Sequence, residues 1–285
     1  MKKDADNVKE EKKIWAKTEA INGVLGAIAG DIIGSVYEWN RIKTEDFPLF
    51  RPDAFFTDDT VLTIAVADAL LTDGDYVRAY RQWGREWPDA DYGGRFRQWL
   101  MEDDPKPYES FGNGSAMRAS PAAYAARSLE EVLRIAKETA ELTHNHPEGV
   151  IGAQAVAGAT FIARKAALDG DEASCKREIK DFLQKHYGYD MQRAVAEIRP
   201  SYAFDETCQG SVPEALTCFL EATCFEDAVR KAVSLGGDAD TQACIAGAPA
   251  GALWGVPEHI RQRTLGLLDA KMLRVLEAFA ERFGR

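Results

Sequence analysis

The stretch CIAGAPAGALWG, from Cys244 to Gly255, consists almost entirely of small residues. A second segment of the same kind runs from Gly149 to Ala167. Small side chains allow helix axes to approach closely, so both segments are predicted to be central helices that are packed on all sides. Pro249 is expected to kink or interrupt the first of them, because proline removes a backbone donor.

Helical patterns recur outward from these segments, and strand patterns are almost lacking. They cover Thr60 to Leu71, a segment opened by the capping box of Ser128 and Glu131, Ser174 to near Gly188, and one long apolar face from Ile260 to Phe279. No alternating run bounded by hairpin turns is found. The sequence therefore predicts an all-α globule of many helices.

Composition and charge exclude several classes of protein. A formal net charge of -11 disfavours general nucleic-acid binding, which needs clustered Lys and Arg. We find no apolar run of about 18 residues and no secretory signal, so neither a membrane span nor export is expected, and the predicted location is cytoplasmic. The five cysteines are odd in number and lack CxxC spacing. They are predicted to be reduced core residues rather than disulfides or zinc ligands.

Two clusters of oxygen-bearing side chains each precede an apolar or small-residue helix. FTDDT spans Phe56 to Thr60, and GGDADT spans Gly236 to Thr241. Carboxylates and hydroxyls at two helix starts could form one binuclear magnesium site. Helix capping alone is the competing explanation, because Asp and Thr are favoured at N-caps without any metal.

Three further stretches suggest a site for a phosphorylated ligand. SFGNGSAMR, Ser110 to Arg118, is a glycine-interrupted loop whose backbone N–H groups could hold phosphate. Within it, Phe111 could stack on a purine, although an isolated Phe is more often a core residue. THNHPEG, Thr143 to Gly149, carries two histidines without a third soft ligand, which favours hydrogen bonding to phosphate or sugar over zinc. GAIAGDIIGSVYEW supplies Glu38.

These five motifs, in this order, resemble the ADP-ribosylglycohydrolase family from about Gly23 to the C-terminus. The resemblance implies a compact, orthogonal, multi-helix fold with a binuclear metal cleft that holds two Mg²⁺, with Mn²⁺ able to substitute. By the matching motifs, the implied metal ligands are Thr57, Asp58, Asp59, Asp238, Asp240 and Thr241. The implied catalytic residues are Glu38, Asp59 and Asp240. The implied contacts to ADP-ribose are Ser110, Phe111, Gly112, Asn113, Gly114 and His144, with a further ribose or phosphate contact near Gln209 to Ser211.

The function that follows is a magnesium-dependent hydrolase that cleaves the N- or O-glycosidic bond between ADP-ribose and a modified protein or small conjugate. THNHPEG looks more like the arginine-directed members, so an arginine acceptor is favoured. Two alternatives stay open: a metal-dependent nucleotide phosphohydrolase, and an immunity or binding protein that neutralises an ADP-ribosylating toxin. A single domain is expected over residues 21–285, preceded by a charged extension over residues 1–20 that serves regulation or binds a partner such as a toxin.

Overall fold

The computed structural model describes residues 17–284, and it is all-α, as predicted. Most of the predicted N-terminal extension, residues 1–16, lies outside the described part of the chain. Two 3₁₀ helices, Glu19–Ile21 and Ser35–Tyr37, flank the first α-helix. The α-helices of the described residues are α1 (Asn22–Gly34), α2 (Asp58–Leu71), α3 (Tyr76–Glu86), α4 (Gly94–Met101), α5 (Gly114–Met117), α6 (Ala122–Ala125), α7 (Leu129–Glu141), α8 (Pro147–Asp169), α9 (Glu172–Tyr187), α10 (Val195–Ile198), α11 (Cys208–Glu221), α12 (Phe225–Ser234), α13 (Ala239–Trp254), α14 (Glu258–Leu265) and α15 (Ala270–Phe283).

The centre of the fold is the contact between α1 and α13, where glycines bring the two backbones together. A Cβ on Gly26 would lie 2.3 Å from the carbonyl oxygen of Gly247, and a Cβ on Gly30 would lie 2.1 Å from that of Ala243. The prediction of a central helix for the opening stretch is therefore confirmed. The predicted interruption at Pro249 is wrong, because α13 runs unbroken from Ala239 to Trp254.

The second small-residue segment forms most of α8, which packs against α7, α9 and α13. Its glycines lie at close contacts, since a Cβ on Gly158 would lie 2.5 Å from the ring of Phe182 on α9, and a Cβ on Gly152 would lie 2.3 Å from the sulfur of Cys208 on α11. The prediction that this helix is packed on all sides is only partly right. Its last turn leaves the core, and Leu168 is 70% exposed.

The long helix predicted from Ile260 to Phe279 is instead two helices, α14 and α15. Asp269 ends the connection between them, and its carboxylate accepts a hydrogen bond from the backbone N–H of Met272 at 2.7 Å. An N-cap of this kind starts a new helix whatever the apolar period is. The periodic pattern continued because both helices bury one face against the same core.

The sequence predicted the start of one helix correctly and placed the start of another two residues too late. The Ser128 hydroxyl accepts from the N–H of Glu131 at 3.2 Å and begins α7. Helix α9 begins two residues before Ser174, because the Asp171 carboxylate accepts from the Ser174 N–H and acts as the N-cap.

One segment is long and apolar enough to correct the expectation that the chain has no apolar run of about 18 residues. Glu19–Tyr37 is long and apolar enough to cross a bilayer, but 83% of its most apolar window is buried inside the protein. It contains α1, whose residues from Gly23 to Gly34 are all buried. In this structure the segment is the core helix that contacts α13.

All five cysteines lie among the described residues and are free thiols, as predicted. Cys175, Cys208, Cys218 and Cys244 are buried. Cys224 is exposed, so its assignment to the core was wrong. It occupies the N-cap position of α12, at the protein surface.

We expect Gly30→Ala to destabilise the protein by at least about 3 kcal/mol, because backbone atoms of Ala243 and Cys244 lie where the methyl group would be. The measurement is chemical unfolding by circular dichroism. Gly94→Ala is the matched control, since a Cβ there meets no atom within 4 Å. Equal stabilities of the two variants would show that α1 and α13 can separate without cost.

Candidate active site

A cavity of about 600 Å³ opens beside the N-terminal ends of α2 and α13. It brings together motifs that are far apart in the sequence. The predicted site residues that line it are Glu38, Asp58, Asp59, Ser110, Phe111, Gly112, Asn113, Gly114, His144, Asp238, Asp240 and Thr241. Thr57 is the one implied metal ligand that is not part of the lining, and it is buried with its hydroxyl 3.3 Å from Asp59.

One end of the cavity is strongly acidic. Carboxylate oxygens of Asp31, Asp59 and Asp240 all lie within 4.8 Å of one another. The same is true of Glu38, Asp238 and Asp240, so Asp240 belongs to both groups. This arrangement gives two adjacent sets of oxygen ligands, as a binuclear site would need.

Asp31 was not predicted as a site residue, and the structure gives it a clear role in positioning FTDDT. Its carboxylate accepts hydrogen bonds from the backbone N–H of Thr57 at 3.0 Å and of Thr60 at 3.1 Å. The Thr57 hydroxyl also donates to it, at 2.8 Å. Asp31 therefore caps α2 from another helix and aims Asp58 and Asp59 at the cavity. An aspartate inside an otherwise apolar helix was the available signal.

Asp59 has a buried carboxylate oxygen that lacks a hydrogen-bond partner among the described residues. Its Oδ2 lies 3.3 Å from the hydroxyl of Thr241, but its Oδ1 is buried without a hydrogen-bond partner among the described residues. Burial, Asp31 and Asp58 together raise the pKa of Asp59 well above its usual value. Burial and nearby carboxylates also raise the pKa of Asp240.

Buried like charges and an unpaired carboxylate oxygen are costly unless a cation offsets them. Helix capping alone does not explain them, since Asp31 already caps α2. The donor set, all carboxylate and hydroxyl oxygen, fits a hard divalent cation such as Mg²⁺.

Glu38 lies at the edge of the acidic end, one residue beyond the 3₁₀ helix that extends α1. Burial and the Asp238 carboxylate raise the pKa of Glu38 to about 7. This side chain can therefore be protonated or ionised near neutral pH, which suits a group that transfers a proton.

The loop over residues 110–114 is tied to the acidic end by Asn113. Its side-chain amide donates to Asp238 at 2.7 Å, and its backbone N–H donates to the carbonyl oxygen of Glu206, also at 2.7 Å. The backbone N–H of Gly112 donates to the Ser110 hydroxyl at 3.2 Å. These two backbone N–H groups already donate to acceptors within the protein. Fewer N–H groups of the loop therefore remain for phosphate binding than the sequence predicts.

His144 is buried beside this loop as a neutral imidazole. The Arg118 guanidinium donates to the Thr143 hydroxyl at 2.8 Å, and that hydroxyl forms a hydrogen bond with His144 Nδ1 at 2.7 Å. Burial and the Arg118 charge lower the pKa of His144 well below its usual value. The neutral ring lines the cavity, and one of its two nitrogens carries a proton.

The second histidine of the motif has a different role. His146 Nδ1 accepts from the backbone N–H of Glu148 at 3.2 Å and caps α8. Its ring contacts the edge of Phe111 at a centroid distance of 5.3 Å. Phe111 is 44% exposed and lines the cavity, so the alternative that it is a core residue is wrong.

Several cavity residues lie outside every predicted motif. The lining also contains Arg95, Tyr108, Glu206 and Thr207, whereas Gln209 to Ser211 are not part of it. Arg95 lies over the ring of Tyr108 at 4.7 Å, at the end of the cavity that holds His144. No local pattern marks these residues, because the chain fold alone brings them to the cleft.

The fold and the cavity define an all-α protein with a buried cluster of cation-binding oxygens at one end of a ligand-sized cleft. Residues 16–285 match the model of the family described as ADP-ribosylglycohydrolase. The chain belongs to this family.

Relatives with curated names are similar over most of their length. ADP-ribosylhydrolase ARH3 of Mus musculus is 27% identical, with 88% of each chain covered. ADP-ribosylarginine hydrolase Tri1 of Pseudomonas putida is 28% identical, over 85% of this chain and 72% of the relative. ADP-ribosyl-[dinitrogen reductase] glycohydrolase of Rhodospirillum rubrum is 26% identical, over 90% and 92%. A solved structure named ADP-ribosylglycohydrolase-related protein complex aligns with a TM-score of 0.68 at 26% identity, covering 94% of this chain and 99% of the other.

Proposed function

We propose that this protein is a magnesium-dependent hydrolase that removes ADP-ribose from a modified arginine side chain. The observation that carries the proposal is the buried acidic cluster, with Asp59 Oδ1 unpaired, at one end of a cavity of about 600 Å³. Membership of the family supports hydrolysis of ADP-ribosylated acceptors. The ion and the acceptor are the parts that experiment must decide.

Each end of the cavity has a separate task in this proposal. Phe111, His144 and Arg95 bind the adenosine and diphosphate, because they offer a ring face, a neutral imidazole and a positive charge. The acidic end holds the ribose of the scissile bond. The cation ligands are Thr57, Asp58, Asp59, Asp238, Asp240 and Thr241, with Asp31 as an addition from the structure.

Cleavage at the anomeric carbon builds positive charge on the ribose. Bound Mg²⁺, or Mn²⁺ in its place, would act as a Lewis acid and would orient the ribose hydroxyls and a water molecule. Asp59 or Asp240 accepts the proton of the attacking water. Glu38, at the rim, positions that water or gives a proton to the leaving group.

Arginine is the favoured acceptor for two reasons. One relative is named an ADP-ribosylarginine hydrolase, at 28% identity. The acidic lining residues Glu38, Asp91 and Glu206 also complement a cationic guanidinium better than a neutral hydroxyl acceptor.

The deciding experiment offers defined arginine-, serine- and DNA-linked ADP-ribose and measures the product by chromatography. We expect intact ADP-ribose to be released fastest from the arginine conjugate. Release of phosphate or AMP would instead support the phosphohydrolase alternative. Binding without turnover of any conjugate would support a binding or immunity protein.

We propose that the N-terminal segment, residues 1–16, lies outside the catalytic domain. Within the described residues, Lys17 already pairs with Glu277 at 2.5 Å and with Glu281 at 2.6 Å on α15. We therefore expect deletion of residues 1–16 to leave turnover of a small ADP-ribosylated substrate within several-fold of the full chain. Deletion of residues 1–20 is the comparison, and it should lower thermal stability because these ion pairs and buried Thr18 are lost. A loss of about a hundredfold on deleting 1–16, about 2.7 kcal/mol, would show that this segment helps to build the site.

A further inference from the structure

Two aromatic rings lie against each other at the acidic end of the cavity. Trp39 follows Glu38 directly, lines the cavity and is 70% exposed. Its ring stacks on Phe204, with centroids 5.9 Å apart and planes at 26°. Phe204 also lines the cavity. Exposure of a tryptophan to this extent costs hydrophobic free energy, so a ring that is held this way next to a reactive centre is a candidate ligand contact.

The two rings are held in place by Lys43, although they are 165 residues apart. The ammonium of Lys43 donates to the carbonyl oxygens of Arg199 at 2.9 Å and of Tyr202 at 2.5 Å, next to Phe204. It also donates to the carbonyl oxygen of Leu235, three residues before Asp238. All three ammonium protons are thereby used, and the segment that follows Trp39 is joined to the segment before Phe204 and to Leu235 at the end of α12.

The surroundings of this ring pair select for a cation. Glu38, Glu206 and Asp238 line the same cavity, and Asp91 does so as the partner of Arg97 at 4.0 Å, whereas Arg95 and His144 lie together with Phe111 and Tyr108. A guanidinium already covers one face of Phe204, since the Arg41 Cζ lies 4.7 Å from its centroid, so the face that is available to a ligand is that of Trp39, which is 70% exposed. A planar cation gains from both a ring face and nearby carboxylates, whereas a diphosphate would be repelled.

We propose that Trp39 and Phe204 form a stacking platform for the guanidinium of the acceptor arginine and so determine acceptor specificity. This inference rests on the proposed function. Trp39 offers its exposed face to the guanidinium, and Phe204 supports the indole from behind. The nucleotide part of the substrate does not touch the platform.

The test compares Trp39→Ala and Trp39→Phe with the wild type on arginine-linked and serine-linked ADP-ribose, and it measures the affinity for free ADP-ribose by calorimetry. We expect Trp39→Ala to lower kcat/KM for the arginine conjugate about tenfold, as loss of a partly desolvated cation–π contact would. Trp39→Phe should retain most of the activity. The kcat/KM for the serine conjugate and the Kd for ADP-ribose should change less than about twofold.

Phe55→Ala is the matched control. Phe55 is also exposed, at 47%, and stacks on a neighbouring ring, Phe56, but it does not line the cavity. Equal losses on both conjugates, or weaker ADP-ribose binding by Trp39→Ala, would place the indole on the nucleotide and overturn the inference. Activity of Trp39→Ala equal to that of the control would overturn it as well.

A wrong acceptor assignment can be distinguished from a wrong assignment of the platform. If the wild type releases no ADP-ribose from arginine, the acceptor assignment is wrong, and the platform is then judged by binding alone. Agmatine, titrated into protein saturated with ADP-ribose, should bind the wild type about tenfold more tightly than Trp39→Ala. Equal affinities would overturn the platform whatever the enzyme cleaves.

Discussion

Protein freed of divalent cations by chelation is expected to lose its hydrolytic activity by about a thousandfold or more and to regain it when Mg²⁺ or Mn²⁺ is added. A thousandfold change corresponds to about 4 kcal/mol of transition-state stabilisation, the scale on which a metal centre acts. The reason lies in the cluster of Asp31, Asp59 and Asp240, whose carboxylates are buried within 4.8 Å of one another. These groups repel one another unless a cation lies between them.

Two measurements accompany this prediction. Equilibrium dialysis should find about two Mg²⁺ per chain, and saturating Mg²⁺ at about a hundred times its Kd should stabilise the fold by about 2.7 kcal/mol per site. Full turnover in protein shown to be metal-free would refute the two-metal interpretation. A stoichiometry of one would leave metal dependence intact but exclude a binuclear site.

The sequence predicts much of the site because its chemistry is concentrated in short segments. The helix starts at FTDDT and GGDADT can be recognised locally, since capping and metal binding both require oxygen atoms there. The structure then brings them together, and the Thr241 hydroxyl lies 3.3 Å from Asp59, across 182 positions of the chain.

Other parts of the site depend on tertiary contacts that leave no local pattern. Asp31 stands out as an aspartate in an apolar helix, but its contacts with the backbone N–H groups of Thr57 and Thr60 span 26 and 29 positions and leave no local pattern. Trp39 and Phe204 are 165 positions apart and meet where Lys43 and Arg41 also contact the segment around Phe204. The break between α14 and α15 was missed for the opposite reason, because the apolar period persists across a capped turn.

Asp240→Asn is expected to lower hydrolysis by about a thousandfold or more, roughly 4 kcal/mol, while the fold stays intact. Asp240 belongs to both acidic groups, so losing its charge weakens both proposed cation sites. The substitution barely changes the volume of the side chain. The hydrogen bond that it accepts from the backbone N–H of Thr241, at 2.9 Å, can be accepted equally well by an asparagine oxygen.

The same variant should be at least as stable as the wild type when chelator is present. Burial, Asp238 and Asp59 raise the pKa of Asp240 because they disfavour its charged form in the folded protein. An amide removes that repulsion, so the thermal midpoint without metal should stay level or rise, while the increase produced by Mg²⁺ should shrink or vanish.

Asp169→Asn serves as the control, because Asp169 is an exposed aspartate at the end of α8 and lies outside the cavity lining. It should match the wild type in turnover and in its thermal response to Mg²⁺. An Asp240→Asn enzyme with wild-type turnover would show that the cations, if bound, are held elsewhere. An inactive variant that unfolds at a lower temperature in chelator would show instead that Asp240 supports the fold rather than a cation, because a purely structural carboxylate has no repulsion to relieve.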